Sequence, residues 1–332
     1  MDDSASKNKL LEIILTRLIN CINNLPEMLE NTNTTIIERE KRKNKLEKES
    51  EQFIQKFLYN HKFYYHTTSE LFFEYNDRNF SLVKEDDVQY TILNAISSNK
   101  TLMDWKQKLK VTILKKIKER DIFSCIPESE TIQNVINKLH PSICDTKEKA
   151  KYFLTIIGDI LLKKSNYIYF LLPKTKPFLK ALSTLSCMLL GTPNLLNIFK
   201  FKYYEHSFTD CRFVDLWEFM NIDNWNSYVK ENEALDLFCV AAYYSTRYEN
   251  ADNFLLEYCK DENLKKYALY LKNNTEDDII NHFTNSTLEN SVGCSISWKN
   301  MQFLWKKFID GERFQNMFFT TILKNKLIEH LK

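Results

Sequence analysis

The chain contains 332 residues, and its 46 Lys and Arg residues nearly balance its 44 Asp and Glu residues, giving a net charge of +2 at pH 7. Hydrophobic residues make up 44% of the chain and aromatic residues 14%, which excludes a disordered protein and supplies apolar material for two or three domains. Only 4 Gly and 6 Pro residues occur, where average usage would give about 23 and about 17. So few chain breakers predict a mainly α, multi-helix protein with short connections.

The cysteines and the termini exclude several classes of protein. Eight cysteines are scattered singly with no C-x-x-C pair, so we predict neither a zinc ribbon nor a disulfide framework, and no cofactor. The opening M-D-D-S-A-S-K is acidic and does not resemble a signal peptide. The most apolar stretch, residues 167–172, is too short to span a bilayer, so we expect no membrane and a reducing cytoplasmic compartment.

Residues 1–60 predict an N-terminal helical hairpin. Leu10, Leu11, Ile14, Leu15, Leu18, Ile19, Ile22 and Leu25 follow a helical repeat that Pro26 should break. The string N-T-N-T-T then looks like the cap of a charge-dense second helix from about Ile36 to Tyr59. The hairpin could be a partner-binding arm or merely solvated.

Residues 61–84 change to an aromatic, β-favouring pattern. Apolar runs around Phe63–Tyr65, Leu71–Tyr75 and Phe80–Val83 predict an aromatic β-hairpin, with a turn at Asn76–Asn79. Exposed aromatic rings here could stack on nucleic-acid bases. The more common alternative is that these rings belong to the core.

The segment Lys100–Arg120 is the strongest functional signal, because it holds eight basic and two acidic residues. Its apolar residues, among them Trp105 and Leu109, recur at three- and four-residue spacing, so we expect one helix with Trp105 buried and the basic side chains outward. A dense cationic face suits the phosphate backbone of a nucleic acid. The predicted contact residues are Lys106, Lys108, Lys110, Lys115, Lys116, Lys118 and Arg120. The alternative is a solvated basic face.

Residues 85–175 predict a basic helical module around that segment. A helix should open at the acidic Glu85–Asp87, another should carry Ile132 to Leu139, and a third should run from Lys147 to Lys164 after a capping box formed by Asp145 and Glu148. A short strand follows at Tyr167–Leu172. This order of elements is typical of a helix-turn-helix or winged-helix module.

Residues 176–332 predict a C-terminal helical domain. One helix should end at Gly191, and two final helices, Trp298–Ile309 and Phe314–Leu331, should be separated by Gly311. The run at 199–206 alternates bases with aromatic residues, which adds Lys200 and Lys202 to the predicted nucleic-acid contacts. His206 and Cys211 could form half of a metal site, but the other half would have to come from isolated residues far away in sequence. They could also form a nucleophile pair, but nothing identifies an oxyanion hole or an orienting third group.

Several strings together resemble a protein family of large nucleocytoplasmic DNA viruses, the giant viruses. They are E-D-D-V-Q-Y-T-I-L, W-K-Q-K-L-K, I-P-E-S-E-T-I-Q-N-V-I, A-K-Y-F-L-T-I-I-G-D-I-L and S-W-K-N-M-Q-F-L-W-K-K-F. The resemblance implies a viral replication or transcription accessory related to the non-ATPase portions of primase-helicases, located in the host cytoplasm at the viral factory or in the virion. It supplies no catalytic residues, and the chain has no G-x-x-x-x-G-K-[ST] motif.

We therefore expect a nucleic-acid-binding accessory protein that contacts phosphates through its basic helix, with DNA as the favoured partner over RNA. The alternative is a viral structural or scaffold protein that binds other viral proteins through helical surfaces. An enzyme ranks third, because no motif with catalytic spacing occurs.

Overall fold

The computed structural model describes residues 2–191, 195–203, 206–216, 231–289 and 295–331. The protein is mainly α, as predicted. Its chain divides into two compact units: the first contains residues 1–60 and 89–114, and the second contains residues 61–88 and 115–332. The predicted module at 85–175 is therefore not a unit of its own, since its residues belong to both.

The first unit is built from helices. The elements that contribute to it are α1 (Asp2–Asn60), most of α2 (Glu85–Ser97), a 3-10 helix (Lys100–Trp105) and the first part of α3 (Lys106–Lys118). Helices α2 and α3 both continue into the second unit. The end of α1 packs against the 3-10 helix, and Ile54 and Phe57 of α1 are buried.

Helix α1 corrects the prediction of a hairpin, because residues 2–60 form one helix with Pro26 inside it. At about 1.5 Å per residue, it is roughly 90 Å long. The N-T-N-T-T string does not cap a second helix. Instead, Thr32 and Thr35 donate their hydroxyls to the carbonyls of Met28 and Asn31, one turn back in the same helix.

The second unit begins with the aromatic sheet, and the strands predicted there are confirmed. Strands β1 (Phe63–His66), β2 (Leu71–Tyr75) and β3 (Phe80–Val83) form an antiparallel sheet in that order. Asn76 shapes the second turn, because its side chain accepts hydrogen bonds from the backbone N–H groups of residues 78 and 79. Phe73 and Phe80 are fully buried, so these rings belong to the core.

Helices complete the second unit. They are α4 (Ser129–Leu139), α5 (Lys147–Leu161), α6 (Lys176–Leu190), α7 (Glu231–Tyr248), α8 (Ala251–Asn253), α9 (Glu262–Ala268), α10 (Tyr270–Asn273), α11 (Glu276–Thr287), α12 (Trp298–Glu312) and α13 (Thr320–His330). A π-helical turn, Phe254–Tyr258, follows α8. Gly191 caps α6 in a left-handed conformation, as predicted.

Several predicted helix boundaries are wrong. The last helix, α13, begins at Thr320 and not at Phe314. Thr146, not Asp145, caps α5, because its hydroxyl accepts the N–H of Lys149. Gly311 does not separate the last two helices but lies inside α12, which ends at Arg313 in a left-handed conformation. The hydrogen bond of Thr146 and the backbone of Arg313 decide these ends, and neither follows from residue type alone.

A second, parallel sheet was largely missed by the sequence analysis. Strand β4 (Ile168–Phe170) was predicted, but β5 (Phe199–Lys200) and β6 (Cys211–Phe213) were not. Strand β4 lies between the other two and pairs in parallel with both. It is therefore not part of the antiparallel wing of a winged helix. Strands of two or three residues are too short to show an alternating pattern.

The centre of the second unit is the close contact between α5 and α7. A Cβ atom on Gly158 of α5 would lie 2.1 Å from the carbonyl oxygen of Ala241 on α7, so only glycine fits there. The neighbouring Asp159 is buried and accepts hydrogen bonds from the Ser245 hydroxyl at 2.6 Å and the Ala251 N–H at 2.7 Å. Burial raises the pKa of Asp159 to about 6, although both hydrogen bonds oppose the rise.

A buried ion pair joins the parallel sheet to α8. Arg212 of β6 is 1% exposed, and its guanidinium donates to both carboxylate oxygens of Asp252, at 2.8 and 2.7 Å. Lys272 adds a third hydrogen bond to Asp252 at 3.0 Å. Burial alone would raise the pKa of Asp252, but the hydrogen bond and charge of Arg212, followed by those of Lys272, lower it.

We predict that Arg212→Met lowers the free energy of unfolding by about 3 to 5 kcal/mol, because it leaves a buried carboxylate without its main partner. The Lys272 side chain is 37% exposed, so Lys272→Met should cost about 1 kcal/mol or less. Urea denaturation followed by circular dichroism measures both. Equal losses in the two variants would contradict the dominant role of Arg212.

The raised pKa of Asp159 predicts a pH dependence of stability. The folded protein binds this proton more tightly than the unfolded chain, whose Asp pKa is near 3.8. The contribution of Asp159 is therefore full at low pH and falls by about 3 kcal/mol as the pH rises from about 4 to about 6. Urea denaturation across this range should show the decrease in the wild type and not in Asp159→Asn. Parallel pH profiles for the two proteins would contradict it.

Candidate nucleic-acid interface

The predicted basic helix is two elements. Residues Lys100–Trp105 form the 3-10 helix and Lys106–Lys118 form α3. Asn99 caps the 3-10 helix, because its side-chain oxygen accepts hydrogen bonds from the backbone N–H and the hydroxyl of Thr101, at 3.2 and 2.7 Å. Sequence analysis did not identify this start, although Asn is a common residue immediately before a helix.

Trp105 is half-buried, so the prediction that it is fully buried is wrong. The buried residues of α3 are Leu109, Ile113 and Ile117, and the preceding 3-10 helix buries Leu102. A 3-10 helix has about 3.0 residues per turn against 3.6 in an α-helix, so the apolar phase changes where the two meet. The Lys108 ammonium lies 4.1 Å from the centre of the Trp105 ring, a cation–π contact.

Four lysines of the first unit lie near Trp105 in sequence, and they differ in how far their side chains are exposed. Lys100 and Lys108 are exposed, whereas Lys106 and Lys110 are half-buried. The Lys106 ammonium donates a hydrogen bond to the Ser97 hydroxyl at 3.0 Å. Half-buried lysines commonly bury the aliphatic stem and keep the charged end near water. We call residues Lys100, Trp105, Lys106, Lys108 and Lys110 the Trp105 patch.

The second group of predicted contacts belongs to the second unit. Lys115 and Lys118 are exposed, whereas Lys116 and Arg120 are half-buried. The Lys118 ammonium lies 3.9 Å from the Glu85 carboxylate. It also lies 5.4 Å from the centre of the Tyr65 ring and 5.5 Å from that of Phe72. The Arg120 guanidinium lies 6.0 Å from the Tyr64 ring. A phosphate would have to compete with these partners for the two charges.

The remaining two predicted contacts lie in or beside a strand. Lys200 is half-buried in β5, and its carbonyl accepts a hydrogen bond from the N–H of Leu171 at 3.1 Å. Lys202 follows β5 and is exposed. The backbone of Lys200 therefore serves the parallel sheet, and Lys202 is the more accessible cation of the two.

The sequence also left open a metal site or a nucleophile pair at His206 and Cys211. Among the described residues, no group of three His, Cys, Asp or Glu side chains could hold a metal ion, so the described structure gives no support for a metal site at His206 and Cys211. Burial raises the pKa of the Cys211 thiol to about 11, and the thiol donates to the Ser207 carbonyl. A thiol held in its protonated form is a poor nucleophile.

One buried histidine was not singled out from the sequence. His66 of β1 is 6% exposed, and its Nε2 makes a 3.0 Å hydrogen bond with the Leu190 carbonyl. Its Nδ1 lies 3.7 Å from the Asp121 carboxylate. Burial would raise the pKa of Asp121, but the neighbouring His66 and the backbone N–H of Phe123, which donates to the carboxylate at 3.1 Å, lower it. These contacts tie β1 to its neighbours and leave no imidazole nitrogen pointing to solvent.

No family model, curated protein or solved structure matches this chain. The resemblance to a viral family therefore stays a prediction, and so do the functions that it implies. Among the described residues, no helix is both long and apolar enough to cross a membrane.

The exposure of Trp105 changes the expected cost of removing it. Truncation of a fully buried tryptophan costs about 3 to 5 kcal/mol, so Trp105→Ala should lower the free energy of unfolding by about 1 to 2 kcal/mol. Trp305 of α12 is 4% exposed, and Trp305→Ala should show the full loss. Urea denaturation of both variants tests this, and a larger loss for Trp105→Ala would show that Trp105 is a core residue.

Proposed function

We propose that the protein binds single-stranded nucleic acid, DNA in preference to RNA, through the Trp105 patch, as an accessory of viral DNA replication or transcription. The observation that carries this proposal is the half-buried Trp105 indole with the Lys108 ammonium 4.1 Å from its ring centre. A partly accessible aromatic ring beside a cation is a combination that single-stranded nucleic-acid-binding proteins use.

Each part of the patch has a separate task. The indole offers a surface on which an unpaired base stacks, and stacking tolerates any base because every base has a flat π face. The lysines attract the phosphates. Residues 100–110 contain four lysines and one acid, Asp104, so this segment carries a local charge of +3 in a chain whose total is only +2.

The same features support binding without sequence preference. Contacts between lysines and phosphates position a nucleic acid but do not distinguish its bases. A single-stranded partner is favoured over a duplex because stacking on Trp105 requires a base that is not already stacked within a helix. Lys115, Lys118 and Lys202 are further exposed cations of the second unit, and we regard them as secondary contacts.

We predict that Trp105→Ala weakens binding of a single-stranded oligonucleotide roughly 5- to 150-fold, the range expected for the loss of one stacked base. Tyr90 of α2 provides a matched control, because it belongs to the same unit and is 71% exposed. Tyr90→Ala should bind like the wild type in fluorescence anisotropy titrations. If Trp105→Ala also binds like the wild type, the stacking role of Trp105 is refuted.

We predict that neutralising the four lysines of the patch weakens the salt dependence of binding. For single strands the logarithmic slope is about −0.7 per neutralised phosphate, so the loss of four contacts should flatten it by roughly 3 units. The variant carries Lys100→Gln, Lys106→Gln, Lys108→Gln and Lys110→Gln, and anisotropy titrations at several salt concentrations give the slope.

A charge-matched control removes four exposed lysines of the second unit, outside the Trp105 patch. It carries Lys180→Gln, Lys260→Gln, Lys299→Gln and Lys307→Gln. This control should keep most of the wild-type slope, because it has the same net charge as the patch variant but an intact patch. Equal slopes for the patch variant and the control would mean that binding depends on overall charge and not on the Trp105 patch.

A further inference from the structure

Helix α1 carries a long apolar face that no described residue covers. Thirteen large apolar side chains between Leu10 and Ile37 are 42 to 63% exposed. Monomeric proteins rarely expose a contiguous apolar patch of more than a few hundred square ångströms. Helices in water also obtain most of their stability from packing such a face against something else. A partner that covers this face is therefore expected.

The spacing of the face indicates what kind of partner this is. Apolar residues recur at alternating intervals of three and four residues, interrupted only by Thr32. The series is Leu11, Leu15, Leu18, Ile22, Leu25, Leu29, Thr32 and Ile36. These are the a and d positions of nearly four heptads, the pattern that another helix covers in a coiled coil. We call this series the heptad seam.

The heptad seam continues into a part of α1 that is already packed. Leu46, Phe53 and Phe57 fall on the same repeat. Phe57 is 4% exposed, and Leu46 and Phe53 are half-buried, where this end of the helix packs within the first unit. One end of the repeat is therefore covered by the chain itself, and only the stretch from Leu11 to Ile36 lacks a cover.

Charge distinguishes a protein partner from a membrane surface. Residues 7–37 contain three basic side chains, Lys7, Lys9 and Arg17, and three acidic ones, Glu12, Glu27 and Glu30. Helices that lie on anionic membranes carry a polar face rich in Lys and Arg. A segment with no net charge lacks that attraction, so the chemistry of this helix favours another amphipathic helix.

We propose that the partner is a second copy of this chain, and that α1 helices associate as a parallel, in-register coiled coil from Leu11 to Ile36. In that register, a g residue of one helix lies beside the e residue five positions later in the other. This pairs Ile14 with Ile19, two apolar side chains. An antiparallel alignment does not form this pair, because it sets g against g and e against e.

This association does not rest on nucleic-acid binding, because the Trp105 patch consists of other residues. It gives a specific partner to the alternative function, a structural protein that acts through helical surfaces. Apolar residues also flank the heptad seam at e and g, as Ile14, Ile19 and Met28 show. A wider apolar face accommodates more than two helices, so the assembly contains two or more copies.

The first test is the mass of the full-length protein in solution, measured by sedimentation equilibrium. The wild type should have at least twice the 39.7 kDa mass of one chain. The double variant Leu18→Asp, Leu25→Asp places charges in the heptad seam and should sediment as one chain. Near-ultraviolet circular dichroism should show that the aromatic core of the second unit is unchanged in this variant.

The chain offers a matched control on the same helix. Ile13 and Ile37 are 49% and 42% exposed, close to the 52% and 51% of Leu18 and Leu25, but lie outside the heptad seam. The variant Ile13→Asp, Ile37→Asp should keep the wild-type mass. A wild type that sediments as one chain at the highest attainable concentration would overturn the proposal, and so would equal masses for the seam variant and this control.

Orientation is tested by cross-linking. In a background with Cys21, Cys187 and Cys294 replaced by Ser, Ile22→Cys places a thiol at an a position, where two parallel in-register helices bring it next to its counterpart. Mild oxidation should then give a disulfide-linked dimer. Asn24→Cys lies at an outer position and should give none. Failure of Ile22→Cys to cross-link, or equal cross-linking of Asn24→Cys, would overturn the parallel register.

Discussion

The close approach of α5 and α7 at Gly158 is the constraint on which the second unit depends. Because no side chain stands between them, Asp159 reaches the Ser245 hydroxyl and the Ala251 N–H and fixes the junction between α7 and α8. Asp252 follows directly and binds Arg212 of β6 through two hydrogen bonds. Helix packing, a buried carboxylate and an ion pair thus attach the parallel sheet to the helical core in a continuous series of contacts.

Elements with a long, regular pattern could be predicted from the sequence, and short or locally capped ones could not. The aromatic strands and α6 with its Gly191 cap matched the expectation because residue type and spacing agree there. Strands β5 and β6 are too short to show an alternating pattern of apolar and polar residues. Pro26 predicts a helix end, yet α1 continues through it.

The candidate interface could likewise be predicted from the sequence only in part. The lysine cluster was visible in the sequence, but the exposure of Trp105 depends on a 3-10 helix whose start is set by the Asn99 side chain. Likewise, the neighbours of Lys118, which include Glu85 and Tyr65, come from other elements of the second unit. The apolar repeat of α1 was also visible, but a repeat indicates a face that packs and does not say what packs on it.

Helices α5 and α7 are stabilised by their own core, whereas in our proposal residues 11–36 of α1 are stabilised by another copy of the chain. Hydrogen exchange measured by mass spectrometry above and below the concentration at which the assembly dissociates tests this difference most directly. We predict that α5 and α7 exchange slowly at both concentrations, whereas residues 11–36 exchange slowly only at the higher one. Equal protection of residues 11–36 at both concentrations would contradict the account.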